Sequence, residues 1–119
     1  MDDNSVTIQD LYARVQWFID TARTKASDGL TWGEFGELLT ALIRLAAETL
    51  DAVTGMTGAA KRAAVIEAVG MLFDAVADRC VPMLAYPLWL VVRPAARALV
   101  IAIAGGILEQ VLPLTRAAK

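Results

Sequence analysis

The stretch that most constrains this chain is its last long apolar run, Pro94-Ala-Ala-Arg-Ala-Leu-Val-Ile-Ala-Ile-Ala-Gly-Gly-Ile-Leu-Glu-Gln-Val-Leu112. It is hydrophobic almost all the way round a helix, whereas the three segments before it are apolar on one side only. A helix of that kind must be surrounded by its own protein, by a partner chain or by lipid. Its charge-free runs are short. Residues 80–92 give thirteen, broken by two prolines, and residues 98–108 give eleven. Eleven residues make about 16 Å of helix, while a span needs about 20 residues to cross a core of about 30 Å. Extending either run brings in Arg93, Arg97 or Glu109, at roughly 2.5–3.5 kcal/mol each near a bilayer centre. The sequence therefore predicts protein around this helix, and leaves only a shallow association with lipid.

Two unlike stripes run along the same stretch. Ala95, Ala98, Ala102, Gly105, Gly106 and Glu109 recur at three- and four-residue steps, and Val100, Ile103, Ile107 and Val111 line another side. Small residues let a neighbouring helix approach closely, and branched ones fill space. Two different helix neighbours are expected.

The rest of the chain reads as amphipathic helices. Hydrophobic residues make up 57% of the sequence, above the usual 45–50%, and the excess in Ala, Leu and Val favours helix. Periodicity predicts an all-α, four- to five-helix bundle with helices over about 6–26, 32–53, 58–81, a short 86–92 and 94–112. The last is expected to be the central apolar helix. All 119 residues form one domain on this reading, with 1–4 and 115–119 frayed. Ser5 or Thr7 caps the first helix. Its apolar face carries Ile8, Leu11, Tyr12, Val15, Phe18, Ile19 and Ala22. Trp17 falls on the opposite, polar face, either as a partly covered surface side chain or as an anchor for a partner.

Thr31-Trp-Gly-Glu34 has the form of a capping box, with Leu30 and Phe35 as a hydrophobic staple and Asp28-Gly29 as the turn before it. The stretch Ser27–Phe35 superficially resembles the second half of an EF-hand loop. With Gly29 at the sixth loop position, however, Thr24 and Ala26 stand where carboxylates belong and Phe35 stands where the bidentate Glu belongs. Thr57 caps the third helix, which is expected to bury Val65, Ile66, Val69, Leu72, Phe73, Val76 and Cys80 and to carry Glu67, Gly70, Asp74 and Asp78 on its outer face. Thr57-Gly-Ala-Ala-Lys-Arg62 lacks the strand and second glycine of a phosphate-binding loop. Pro82 ends that helix. Pro87 suits the first turn of the next, and Arg93-Pro94 is expected to be a second break or a kink. Trp89 and Arg93, four apart, are placed to meet on one face.

No catalytic or metal signature is present. There is no histidine, so a ferritin-like set of Glu-x-x-His pairs is impossible, and Glu37, Glu48 and Asp51 read as a solvated face. The single cysteine, Cys80, rules out a disulfide within the chain and fits a reducing, cytoplasmic compartment. The acidic Met-Asp-Asp-Asn-Ser start lacks the apolar core of a secretory signal. Charge is split. Residues 1–60 hold nine acids and four bases, a net −5, and residues 61–119 four acids and seven bases, a net +3. Neither half is clustered enough for nucleic acid.

These features predict a non-enzymatic helical protein that acts through protein–protein contacts and self-associates, with no cofactor. The expected contact residues are Trp17, Trp89, Arg93, Arg97, Ala98, Ala102, Gly105 and Gly106. A second reading starts from Arg79, Arg93, Arg97, Arg116 and Lys119, which make the C-terminal region basic as well as apolar and suit an anionic membrane surface. In outline that region resembles small phage-encoded helical proteins of the holin-associated kind, and the resemblance implies a peripheral, membrane-active role. A third is an apolar-ligand pocket lined by Met71, Phe73, Met83, Tyr86 and Trp89.

Overall fold

The computed structural model describes residues 7–53 and 55–111, with side chains described through residue 109. The described residues form four helices, α1 (Ile8–Lys25), α2 (Trp32–Asp51), α3 (Gly58–Val76) and α4 (Tyr86–Val111), with 3₁₀ turns at Ala77–Cys80 and Met83–Ala85. Among the described residues there is no strand, so the predicted all-α bundle is the observed fold. The predictions for the two termini lie outside the described residues.

The starts of the helices follow from the sequence. Thr7 and Asp10 form a reciprocal capping box, as do Thr31 and Glu34, where the Thr31 amide donates to Glu34 Oε1 at 2.9 Å and the Glu34 amide to Thr31 Oγ1 at 3.0 Å. Thr57 Oγ1 accepts from the Ala60 amide at 3.0 Å. Gly29 supplies the positive φ (113°) of the α1–α2 turn. That turn is tied to the far end of α3, because the Leu30 amide donates to the Arg79 carbonyl.

The α2–α3 pair is the centre of the bundle, with α1 and α4 each resting on it. Leu11, Val15 and Ile19 of α1, Leu42, Ile43 and Leu50 of α2, and Val65, Leu72 and Phe73 of α3 are buried together. The α1–α2 contact also carries a polar tie. Arg14 Nη1 donates to Thr49 Oγ1 at 3.0 Å, and the Thr49 hydroxyl in turn donates to the Leu45 carbonyl. Tyr12, predicted on the inner stripe, is instead 43% exposed at the α1–α3 edge and donates to Glu67.

The expectation of a central last helix is corrected. Of the most apolar stretch of Met83–Glu109 only 11% is buried, and Trp89, Ala104, Gly105 and Leu108 are the buried residues of α4. The reason is charge. Arg93, Arg97 and Glu109 need partners at an exposed edge, and moving them to the middle of the bundle would desolvate them. The apolar stripe of α1 already closes the other side of α2–α3.

The predicted break at Arg93-Pro94 is also absent, and 86–92 and 94–112 merge into one continuous helix containing Pro94. Pro94 and Leu90, whose carbonyl loses its helical donor, are both exposed, so the lost bond lies beside solvent rather than in the core. Arg93 and Arg97, on either side of Pro94, hold both halves to the same neighbour. At the other end, α3 stops at Val76 and tightens into a 3₁₀ turn, short of the predicted residue 81.

Candidate functional site

The α3–α4 contact is built on two pairs of like spacing and opposite charge. Asp74 and Asp78 stand one turn apart on α3 and its 3₁₀ extension; Arg93 and Arg97 stand one turn apart on α4. Asp78 Oδ1 accepts from Trp89 Nε1 at 2.6 Å and from Arg93 Nε at 2.9 Å. Asp74 takes Arg97 in a two-point contact, Nε to Oδ1 at 3.1 Å and Nη2 to Oδ2 at 3.2 Å. Arg93 Nη1 lies 3.6 Å from Asp74 Oδ1 and links the two pairs. At the other end of α4, Arg62 of α3 meets Glu109 at 3.0 Å and the Gly105 carbonyl at 3.4 Å.

Glycines make room for these side chains. A Cβ at Gly70 would collide with the Arg97 guanidinium, and one at Gly105 would sit 2.6 Å from Arg62 Nη2. Each arginine therefore lies flat on a helix that lacks a side chain at that point.

Aromatic rings surround the Asp78 end. Trp89 packs 5.6 Å from Trp32 and 6.0 Å from Phe73, between ring centroids. Phe35 meets Phe73 edge-on at 6.2 Å and Trp32 edge-on at 5.7 Å. The Arg93 guanidinium lies 5.1 Å from the Phe73 ring centroid, within cation–π range. Burial pushes the Asp78 carboxyl up, but the hydrogen bonds from Trp89 and Arg93 and the Arg93 charge outweigh it and hold the group below its ordinary range. The Arg93 guanidinium, hydrogen-bonded to Asp78, is correspondingly harder to deprotonate. Cys80 sits beside this cluster with its thiol pushed up to about 11, first by burial and then by the Glu34 charge, so it is a poor nucleophile. Asp74 and Asp78, the acids this contact brings together, are consumed by arginines.

Turning the charges inward leaves the opposite side of α4 bare. Leu88, Val91 and Val92 are exposed near its start, and Ala98, Leu99, Ala102, Ile103 and Gly106 further on, with no charged residue among them. Leu84, in the preceding 3₁₀ turn, is 98% exposed and continues the apolar surface.

The sequence-predicted contact residues therefore separate into three groups. Trp89, Arg93, Arg97 and Gly105 are spent inside the chain on the α3–α4 contact. Ala98, Ala102 and Gly106 lie on the open apolar face. Trp17 is 67% exposed but belongs to α1, on a different side of the α2–α3 pair. Asp74 and Asp78, read from sequence as an outer face of α3, are the partners of α4. Their matched four-residue spacing with Arg93 and Arg97 is the signal that marks them.

Of the five residues proposed as an apolar pocket, Phe73 and Trp89 pack against each other, while Met83 and Tyr86 lie at a separate cleft. Phe73 is buried in the core and Met83 is 89% exposed. Met83 and Tyr86 instead edge an open cleft of about 560 Å³ with Asp28, Asp78 and Arg79. No family model matches the chain, and neither the curated proteins nor the solved structures contain a match.

Proposed function

We propose that this chain is a non-enzymatic helical protein that works through the outer face of α4, by packing that face against a second copy of itself. The observation that carries this reading is the inversion of α4. Its charged side chains Arg93, Arg97 and Glu109 are turned to the bundle and paired there, while its solvent side is apolar over some six turns. A contiguous apolar surface of that extent marks a contact site. The reading is tested by light scattering across a wide concentration range. A mass that rises to a defined oligomer supports it, and a monomer throughout ends it. Val91→Glu, on the exposed face, is expected to abolish association while leaving the helical content unchanged.

A second reading, a peripheral membrane protein, is favoured by one observation. The segment Met83–Glu109 is long and apolar enough to cross a bilayer, and it is not a buried core helix. As folded, α4 lies along α2 and α3, whose exposed sides carry Glu37, Arg44, Glu48 and Glu67. A perpendicular crossing would drag these charges into hydrocarbon, so the folded bundle suits a position in the plane of the interface. Arg93 and Arg97 are already neutralised by Asp74 and Asp78, so attraction to anionic headgroups is weaker than the basic C-terminal composition suggests. Flotation with phosphatidylcholine vesicles, with and without an anionic lipid, separates this reading from the first.

A further inference from the structure

We infer that two copies pair through α4 in antiparallel register about a two-fold axis near residue 97, a geometry that rests on the self-association proposed above. The first support is area. From their fractional exposures, Leu84, Leu88, Val91, Val92, Leu99 and Ile103 present on the order of 650 Å², and the exposed Ala95, Ala98, Ala102 and Gly106 bring the face close to the roughly 800 Å² that each partner gives to a standard interface. The largest apolar patch on an ordinary monomer is about 300–600 Å². The outer face of α4, with Leu84 of the turn before it, thus approaches the area that a stable dimer needs.

The second support is the order of sizes along that face. Its exposed positions recur at three- and four-residue steps, the spacing of a helix–helix seam. The N-terminal half of the seam is mostly large, with Leu88, Val91 and Val92, and the C-terminal half sets the small Ala98, Ala102 and Gly106 between Leu99 and Ile103. A parallel pair would set Leu88 on Leu88 at one end and Gly106 on Gly106 at the other. The two helices would then be held apart at one end and left with a void at the other. An antiparallel pair removes both faults. Leu88 of one copy lies over Gly106 of the other, Val92 over Ala102, and Leu99 over Ala95. Large meets small at each of these steps, Val91 over Ile103 is the one meeting of two large side chains, and the two-fold axis makes every contact occur twice.

The third support is that nothing polar stands in the way. The axis passes near Arg97, whose side chain is turned back onto Gly70 and Asp74. At Gly106 an added Cβ meets nothing within 4 Å in its own chain. The space above it is open to a partner's leucine.

Disulfide trapping in a Cys80→Ala background tests the register. A mixture of the Leu88→Cys and Gly106→Cys proteins is expected to give a cross-linked dimer in high yield, and each protein alone almost none. In the proposed register two copies of residue 106 lie roughly 27 Å apart, at about 1.5 Å per residue. A second measurement uses size. Gly106→Leu is expected to weaken the dimer at least tenfold, and adding Leu88→Ala to it to recover most of the loss. A dimer in which each single cysteine links to itself, or in which no pair links, overturns the antiparallel register but keeps self-association. Wild-type protein that stays monomeric in buffer overturns both, and binding of that monomer to phosphatidylcholine vesicles assigns the face to lipid instead.

Discussion

Helices α1 and α4 rest on the same α2–α3 pair, yet they present opposite characters to the outside. On α1, Leu11, Val15, Ile19 and Ala22 face the bundle while Gln16, Asp20, Arg23 and Lys25 face out, with Trp17 among them. On α4 the arginines face the bundle, and Leu88, Val91, Val92 and Leu99 face out. The first arrangement is what burial of apolar surface alone dictates. The second arises because Asp74 and Asp78 supply a charged strip on α3, and α4 answers with arginines at the same spacing. A helix can therefore be docked by its few polar side chains, leaving its apolar ones free for something else. What holds α1 to the fold is hydrophobic area; what aligns α4 is a ladder of ion pairs beside one buried tryptophan.

The largest expected effect tests that division directly. Leu11 is 1% exposed, so Leu11→Ala on α1 is expected to cost about 2–5 kcal/mol of unfolding free energy. Leu99 on α4 is 61% exposed, and Leu99→Ala is expected to cost the dilute monomer less than about 0.5 kcal/mol. Urea denaturation at a concentration too low for association measures both. Comparable losses from the two substitutions would break the comparison, because they would mean that Leu99 is buried in the monomer.

A smaller effect belongs to the ladder. Asp78→Ala leaves the Trp89 indole N–H and the Arg93 guanidinium without their shared acceptor, at a cost of about 1.5–3 kcal/mol. Asp74→Ala removes a pair whose carboxylate is half-exposed, and is expected to cost no more than about 1 kcal/mol. Thermal unfolding of the two variants ranks them, and equal losses would show that the Trp89 hydrogen bond adds nothing to the ion pairs.

The same carboxylate sets an acid dependence. The Asp78 group is held below its ordinary range in the fold, because the Trp89 and Arg93 hydrogen bonds outweigh the burial that pushes it up. Its contribution is fully present above its unfolded value, about 3.9, and is lost as pH falls through the lower folded value. Stability should therefore decline with acid below about pH 4, and Asp78→Asn should flatten that slope. Tryptophan emission is a suitable probe, since Trp89 is buried against Trp32 while Trp17 is already exposed. A slope unchanged in Asp78→Asn would assign the acid sensitivity elsewhere.

Much of this molecule is legible in its sequence. The capping threonines Thr31 and Thr57, the turn at Gly29 and the buried stripe of α3 follow from local spacing. Trp89 and Arg93 do meet on one face, on Asp78. The continuity of α4 through Pro94 was not legible, because the penalty for proline depends on whether the orphaned carbonyl faces core or water, and that is decided by the other helices. Nor was the orientation of α4. A helix apolar nearly all round gives periodicity no face to choose, so three charged residues choose it, through partners far away in sequence. The acids of α3 looked like a solvated edge because their i, i+4 spacing is ordinary in itself. Only its match to Arg93 and Arg97 carries the information.

The smallest expected effect compares two glycines. At both Gly36 on α2 and Gly106 on α4 an added Cβ meets nothing within 4 Å. Each Gly→Ala substitution should therefore raise the stability of a dilute monomer by about 0.5–1 kcal/mol, the ordinary cost of glycine inside a helix. The two should then part company as concentration rises. Gly36→Ala has no reason to alter association. Gly106→Ala places a methyl where the antiparallel pair seats Leu88 of the other copy, so its gain in fold stability is offset by weaker pairing. Chemical denaturation at two protein concentrations measures the divergence. If the two variants track each other at both, the open side of Gly106 is not where a second copy packs.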